Sequence, residues 1–113
     1  MHYKPLFEGL NSFGYIVIAH RACNTGCKDD KDNLPLDPGG FGHYYKQQLL
    51  AIEWAKATAL AGSDPILKNI DLSHGVGIAG HSMGGQSTVF SSSFGNTSAL
   101  NITAAVMHHA YTQ

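Results

Sequence analysis

The segment from residue 76 to residue 85 constrains this chain most strongly, because it joins a short apolar strand to glycines clustered around one serine. Val76-Gly77-Ile78-Ala79 is uncharged and apolar, as in a buried strand of a parallel sheet. It leads directly into Gly80-His81-Ser82-Met83-Gly84-Gly85, and the pattern predicts a helix from residue 86 to about residue 93. A sharp turn from strand to helix needs small neighbours, which Gly80 and Gly84 supply. The segment therefore predicts a Ser82 hydroxyl exposed at the end of the sheet.

Ser82 is the candidate nucleophile of this turn. A helix that starts just after it directs free N–H groups and the positive end of its dipole at the serine oxygen. The backbone N–H of Met83 is the expected first donor to an oxyanion formed there. The alternative is a plain turn without chemistry, because glycine and serine also meet by chance in a chain with 13 glycines among 113 residues.

The rest of the chain predicts alternating helices and strands. We expect a helix over residues 3–12, a strand buried on both faces over 15–19 and a long loop to residue 42. A helix over 44–60 follows, with one apolar face formed by Leu50, Ala51, Trp54, Ala55 and Thr58. A turn follows around residues 66–70, and a last strand spans 104–107. This order is typical of βαβ units and predicts an α/β fold with a mostly parallel sheet.

The turn and the strand before it resemble the cutinase-like and polyester-hydrolase branch of the α/β-hydrolases, to which chlorophyllases and dienelactone hydrolases are related. Residues 3–19 resemble the first helix and fourth strand of that family, residues 45–55 the helix before the nucleophile, and residues 103–107 the strand after it. The resemblance implies a three-layer fold of which residues 1–113 form a single incomplete domain, roughly strands 4 to 6 with flanking helices.

The same resemblance implies a serine carboxylic-ester hydrolase that acts on a small or polymeric ester through an acyl-Ser82 intermediate, without a cofactor. The family places its catalytic acid and histidine after later strands than this chain contains, and its second oxyanion donor before Met1. We therefore expect a fragment of a larger fold. The alternative is a catalytically silent remnant that serves as a binding or interaction domain, with self-association through unpaired strand edges.

Histidines are the remaining candidates for the site. His20 follows the first predicted strand and His108 and His109 follow the last, at the carboxyl ends where α/β folds bind ligands. We expect these three and His81 to contact substrate rather than to act as the base. The ring of His81 should point away from Ser82, because the two residues are adjacent in a tight turn.

Cys23 and Cys27 are predicted to form a local disulfide, with free thiols as the alternative. Zinc binding by His20 with both cysteines matches no strong spacing pattern, and we expect no metal. The cysteine pair and the sequons at Asn96 and Asn101 favour a secreted protein. The first 20 residues contain no signal-peptide core, so the localisation stays open.

Charge and hydropathy exclude some partners. The formal net charge is −1, with 7 Lys and Arg against 8 Asp and Glu, and no basic cluster indicates nucleic-acid binding. The apolar runs are shorter than the roughly 18 residues of a membrane-spanning helix. The expected partner is an ester substrate.

Overall fold

The computed structural model describes residues 3–20 and 42–110. Its helices are α1 (Lys4–Ser12), α2 (Gly42–Ala61), α3 (Met83–Ser91) and α4 (Phe94–Leu100), with one turn of 3-10 helix at Leu67–Asn69. Its strands are β1 (Val76–His81) and β2 (Ile102–His108). The described residues form a small α/β unit in which helices flank a two-stranded parallel sheet.

The two strands lie side by side although α3 and α4 separate them in the chain. Parallel neighbours need such a crossover, since a tight turn would reverse the chain direction. Ala79 is opposite Val106, and His81 is opposite His108. The carboxyl ends of both strands therefore meet at one edge of the sheet.

The core is built from one isoleucine on each of three elements. Ile52 of α2, Ile78 of β1 and Ile102 of β2 are buried together. Leu49, Val76 and Leu100 pack against them and are half-buried. Burying a side chain of this size stabilises the fold by about 1.5–3 kcal/mol, so these contacts fix α2 against the sheet.

The sheet is only partly buried within the described residues. In β1, Ile78 points into the core while Gly77 and Ala79 are exposed. Beyond Ile102, every residue of β2 is exposed. The prediction of buried strands therefore holds for Ile78 and Ile102, whereas the rest of β2 is exposed on both faces within the described residues.

The predicted strand over residues 15–19 is absent. These residues have no regular secondary structure, and Tyr15 is 65% exposed. A strand needs a hydrogen-bonded neighbour, and among the described residues β1 and β2 pair only with each other. The apolar, β-branched composition of this segment indicated a strand, but composition does not supply a partner.

The buried face of α2 also differs from the prediction. Ala55 is buried as predicted, but Leu50 and Trp54 of the same predicted face are exposed, and Ile52 is buried instead. Apolar residues occur all round this helix, so its sequence does not define one inner face. Contacts with the sheet and with α3 decide which side is buried.

Helix α4 was not predicted from the sequence. Its residues include Gly95, Asn96 and Thr97, which are weak helix formers. Asn101 ends the helix in the left-handed conformation, with φ 54° and ψ 47°. Lys56 of α2 donates a hydrogen bond to the carbonyl oxygen of Leu100 at 2.7 Å, which satisfies one of the free carbonyls at this end.

Cys23 and Cys27 lie outside the described residues, as does most of the predicted long loop. None of the helices within residues 3–20 and 42–110 has the length and hydropathy needed to cross a membrane.

Candidate functional site

Ser82 occupies the junction between β1 and α3 in a backbone conformation that few residues adopt. Its φ is 56° and its ψ is −120°. Holding a residue other than glycine in such a region costs about 1–3 kcal/mol, so the surrounding structure has to enforce it. One constraint is the Ser82 N–H, which donates to the carbonyl oxygen of His108 at 3.1 Å and extends the pairing of the sheet into the turn.

The two glycines that flank Ser82 have different surroundings. A Cβ atom on Gly80 would overlap the backbone of Gly84 and lie 2.7 Å from Thr88 Oγ1. A Cβ atom on Gly84 would meet no described atom within 4 Å. The clearance predicted for both positions is thus needed at Gly80, whereas Gly84 provides the backbone that Gly80 approaches.

The first turn of α3 presents free backbone donors beside Ser82. The first hydrogen bond of the helix runs from the Gln86 N–H to the Ser82 carbonyl oxygen at 3.1 Å. The N–H groups of Met83, Gly84 and Gly85 therefore have no acceptor inside the helix. Together with the positive end of the helix dipole, they can stabilise a developing negative charge near Ser82.

A shallow pocket of about 230 Å³ lies at this turn. The turn contributes Ser82 and its neighbours His81, Met83 and Gly84 to the pocket wall. The other lining residues are His20, Gln48, Ala79 and Ser87. Ligand pockets usually measure about 300–1,000 Å³, so this one has room for a small group only. Of the predicted substrate contacts, His20 and His81 line it.

Gln48 is a pocket residue that the sequence did not reveal. Its Nε2 donates to the carbonyl oxygen of Ala79 at 3.2 Å and to Thr88 Oγ1 at 3.1 Å. Its Oε1 is buried without a hydrogen-bond partner among the described residues. Gln48 thus ties α2 to β1 and α3 beside the pocket. A glutamine on a helix carries no sequence signal for such a position.

His81, His108 and His109 form a cluster next to the pocket, which we call the histidine cluster. Their ring centroids are 5.2 Å apart for His81 and His108, 4.2 Å for His108 and His109, and 6.2 Å for His81 and His109. The Tyr3 hydroxyl lies 3.0 Å from Nδ1 of His81. The structure therefore brings together three of the four predicted histidines.

Within the described residues, no hydrogen bond joins the Ser82 hydroxyl to a histidine. His20, the fourth predicted histidine, is on the pocket wall. Desolvation by partial burial lowers the pKa of His20 below its ordinary value, which favours the neutral imidazole that can accept a proton.

Comparison of the chain with models of known protein families, with curated proteins and with solved structures found no match. A function for this chain rests on the chemistry of the turn and of the residues around it.

Proposed function

We propose that this chain carries the nucleophilic part of a serine carboxylic-ester hydrolase, with Ser82 as nucleophile and the Met83 N–H as an oxyanion donor. The observation that carries the proposal is the backbone of Ser82, at φ 56° and ψ −120° between a parallel strand and a helix. Residues held in such strained conformations concentrate at functional sites. It is the geometry that a nucleophile at a strand-to-helix turn requires.

In the proposed reaction, Ser82 Oγ attacks the carbonyl carbon of the ester and gives up its proton. The carbonyl oxygen becomes an oxyanion beside the free N–H groups of α3. Collapse of this intermediate breaks the bond to the alcohol, which takes up a proton, and leaves an acyl group on Ser82. Water then releases the acid and restores the serine.

The proton from Ser82 needs an acceptor. His20 is a candidate because it lines the same pocket and because burial favours its neutral form. His108 is a second candidate, since its backbone is hydrogen-bonded to the Ser82 N–H. Both can reach the serine only after side-chain movement, so we expect slow turnover from the chain by itself.

The proposal includes kinship with the α/β-hydrolases. The parallel pair β1 and β2 would correspond to the fifth and sixth strands of a three-layer sheet. No cofactor is needed for this chemistry.

A second candidate function is binding rather than catalysis. The observation that favours it is the sheet face opposite Ile78, where Val106 of β2 is 62% exposed and its partner in the register, Ala79 of β1, is also exposed. Apolar side chains on an uncovered sheet face commonly mark a surface for a partner. A catalytically silent domain would use this surface without needing Ser82.

The two functions are separated by an assay of ester cleavage with a covalent probe. The purified chain is incubated with a short-chain aryl ester, and in parallel with a fluorophosphonate that transfers its phosphonyl group to an activated serine with loss of fluoride. We expect stoichiometric labelling of Ser82, located by mass spectrometry, and a burst of the aryl alcohol. Ser82→Ala should lose both signals.

Ser98→Ala is the matched control, because Ser98 is exposed on α4 and absent from the pocket. It should retain both the labelling and the burst. If the unaltered chain gives neither signal, or if labelling persists in Ser82→Ala, the catalytic proposal is wrong and binding becomes the better explanation.

A further inference from the structure

We propose that the histidine cluster binds a divalent transition-metal ion, with Zn²⁺ as the best fit. His81, His108 and His109 would each supply one imidazole nitrogen. This site does not depend on Ser82 acting as a nucleophile. The two proposals therefore stand or fall separately.

The three rings are close enough to share one ion. Each histidine offers a nitrogen, and these three atoms all lie within 4.8 Å of one another. Zn–N bonds of about 2.0–2.1 Å in a tetrahedral site place the nitrogens about 3.3 Å apart. All three side chains are exposed, so rotation about their side-chain bonds can close the difference of up to about 1.5 Å without disturbing the core.

The backbone holds the ligands on rigid elements. His81 and His108 are partners in the register of two adjacent parallel strands, at the end of each strand. His109 follows with a φ of 45°, which turns its ring back toward the other two. Metal sites on regular elements are more precise than sites on loops, so the paired strands place His81 and His108 side by side before an ion arrives, and side-chain rotation completes the site.

Tyr3, the residue just before α1, contacts the histidine cluster through His81. Its hydroxyl oxygen lies 3.0 Å from Nδ1 of His81 and can accept a hydrogen bond from that nitrogen. Histidines that bind metals nearly always donate their other N–H to such a partner, which fixes the ring and the tautomer. With Nδ1 occupied in this way, Nε2 of His81 is the atom directed to the metal.

The ligand type indicates the metal. Three neutral imidazoles suit Zn²⁺, Cu²⁺ or Ni²⁺, whereas Mg²⁺ and Ca²⁺ require oxygen ligands. Three protein ligands leave a fourth tetrahedral position for water. The bound ion would also engage the His108 ring, so zinc should slow any ester turnover that uses this histidine as a base.

The test uses the untagged chain after removal of metals. Calorimetric titration with Zn²⁺ should show one binding site, and Co²⁺ should give the visible absorption of a nitrogen-ligated tetrahedral ion. Loss of an outer partner typically weakens binding about 10–100-fold, so Tyr3→Phe should weaken it about tenfold and His109→Ala by more than about 100-fold. Mg²⁺ should not bind.

His74→Ala is the matched control, because His74 is exposed and lies outside the histidine cluster. Its Nε2 atom is 3.7 Å from Oδ2 of Asp71. It should bind zinc as the unaltered chain does. Circular dichroism verifies that each variant is folded.

A second measurement needs no variant. Diethyl pyrocarbonate modifies accessible imidazoles, and zinc should protect His81, His108 and His109 but not His74, as mapped by mass spectrometry. Unchanged zinc affinity in His109→Ala, or equal protection of all 7 histidines, would mean that the binding is adventitious and would overturn the proposal.

Discussion

At the residue scale, substitutions of Gly80 and Gly84 test whether the turn at Ser82 needs a small residue at both positions. Both flank Ser82 at the same distance in sequence, but only the Gly80 Cα is pressed against other backbone. Gly80→Ala should lower the free energy of unfolding by about 1–3 kcal/mol, because the added methyl group overlaps the Gly84 backbone. Thermal and urea denaturation measure this loss.

Gly84→Ala is the paired control. Its methyl group meets no described atom, and alanine favours a helix over glycine by up to about 1 kcal/mol. The stability of this variant should be unchanged or slightly raised. Equal destabilisation by both substitutions would contradict the packing described for the turn.

The part of the site that lies close together in sequence could be predicted from sequence. The strained serine and the free N–H of Met83 follow from a strand, a glycine-rich turn and a helix in immediate succession. The contact of Tyr3 with His81 spans 78 residues and depends on where α1 docks, which no local pattern specifies. The histidine cluster had one usable signal, since His81 and His108 both end apolar strands that a parallel sheet places side by side.

At the element scale, residues 16–19 should behave as an unpaired segment despite their apolar composition. The Tyr15 N–H donates to the Leu10 carbonyl oxygen at 3.3 Å, but the next four residues have no place in the sheet. Their amide hydrogens should exchange with a local opening free energy near 0 kcal/mol. Hydrogen–deuterium exchange with mass spectrometry measures this directly.

The amides of β1 serve as the internal reference for that experiment. Ile78 lies in the ladder with β2 and in the core, so its segment should be the more strongly protected. Slow exchange in residues 16–19 to the same degree as in β1 would show that this segment has a strand partner.

Element types were predictable where the pattern was local and strong. Helix α1 and strands β1 and β2 were expected within a few residues of their observed bounds. The prediction of a strand over residues 15–19 was wrong, because a strand forms only with a hydrogen-bonded partner that is distant in sequence. The prediction that Leu50 and Trp54 lie on the inner face of α2 was wrong. Apolar residues point in all directions from this helix, so tertiary contacts determine which side is buried.

At the scale of the whole molecule, the uncovered sheet predicts association between chains. Among the described residues each strand is paired on one side only, and such a small sheet is marginal by itself. We expect sedimentation velocity to show association that increases with concentration. Val106→Lys should weaken it, because a charged side chain on this sheet face opposes contact with a second copy.

Val89→Lys is the matched control for this prediction. Val89 is 48% exposed on α3, outside the sheet. Its substitution adds the same charge and should leave the association unchanged. An equal effect of both substitutions would indicate nonspecific apolar contact, and a chain that is monomeric at all concentrations would rule out this association.

The inner face of α3 has a consequence for how this sequence can vary over time. Gly85, Ser87, Thr88 and Ser91 are all buried there, and a Cβ atom on Gly85 would lie 2.9 Å from the Ala110 Cα. Little volume is available for a larger side chain, whereas the outer side of the same helix faces solvent at Val89 and Phe90. In a library of random variants selected only for folding, accepted changes in this helix should accumulate on its outer side, and its inner side should stay restricted to the smallest residues.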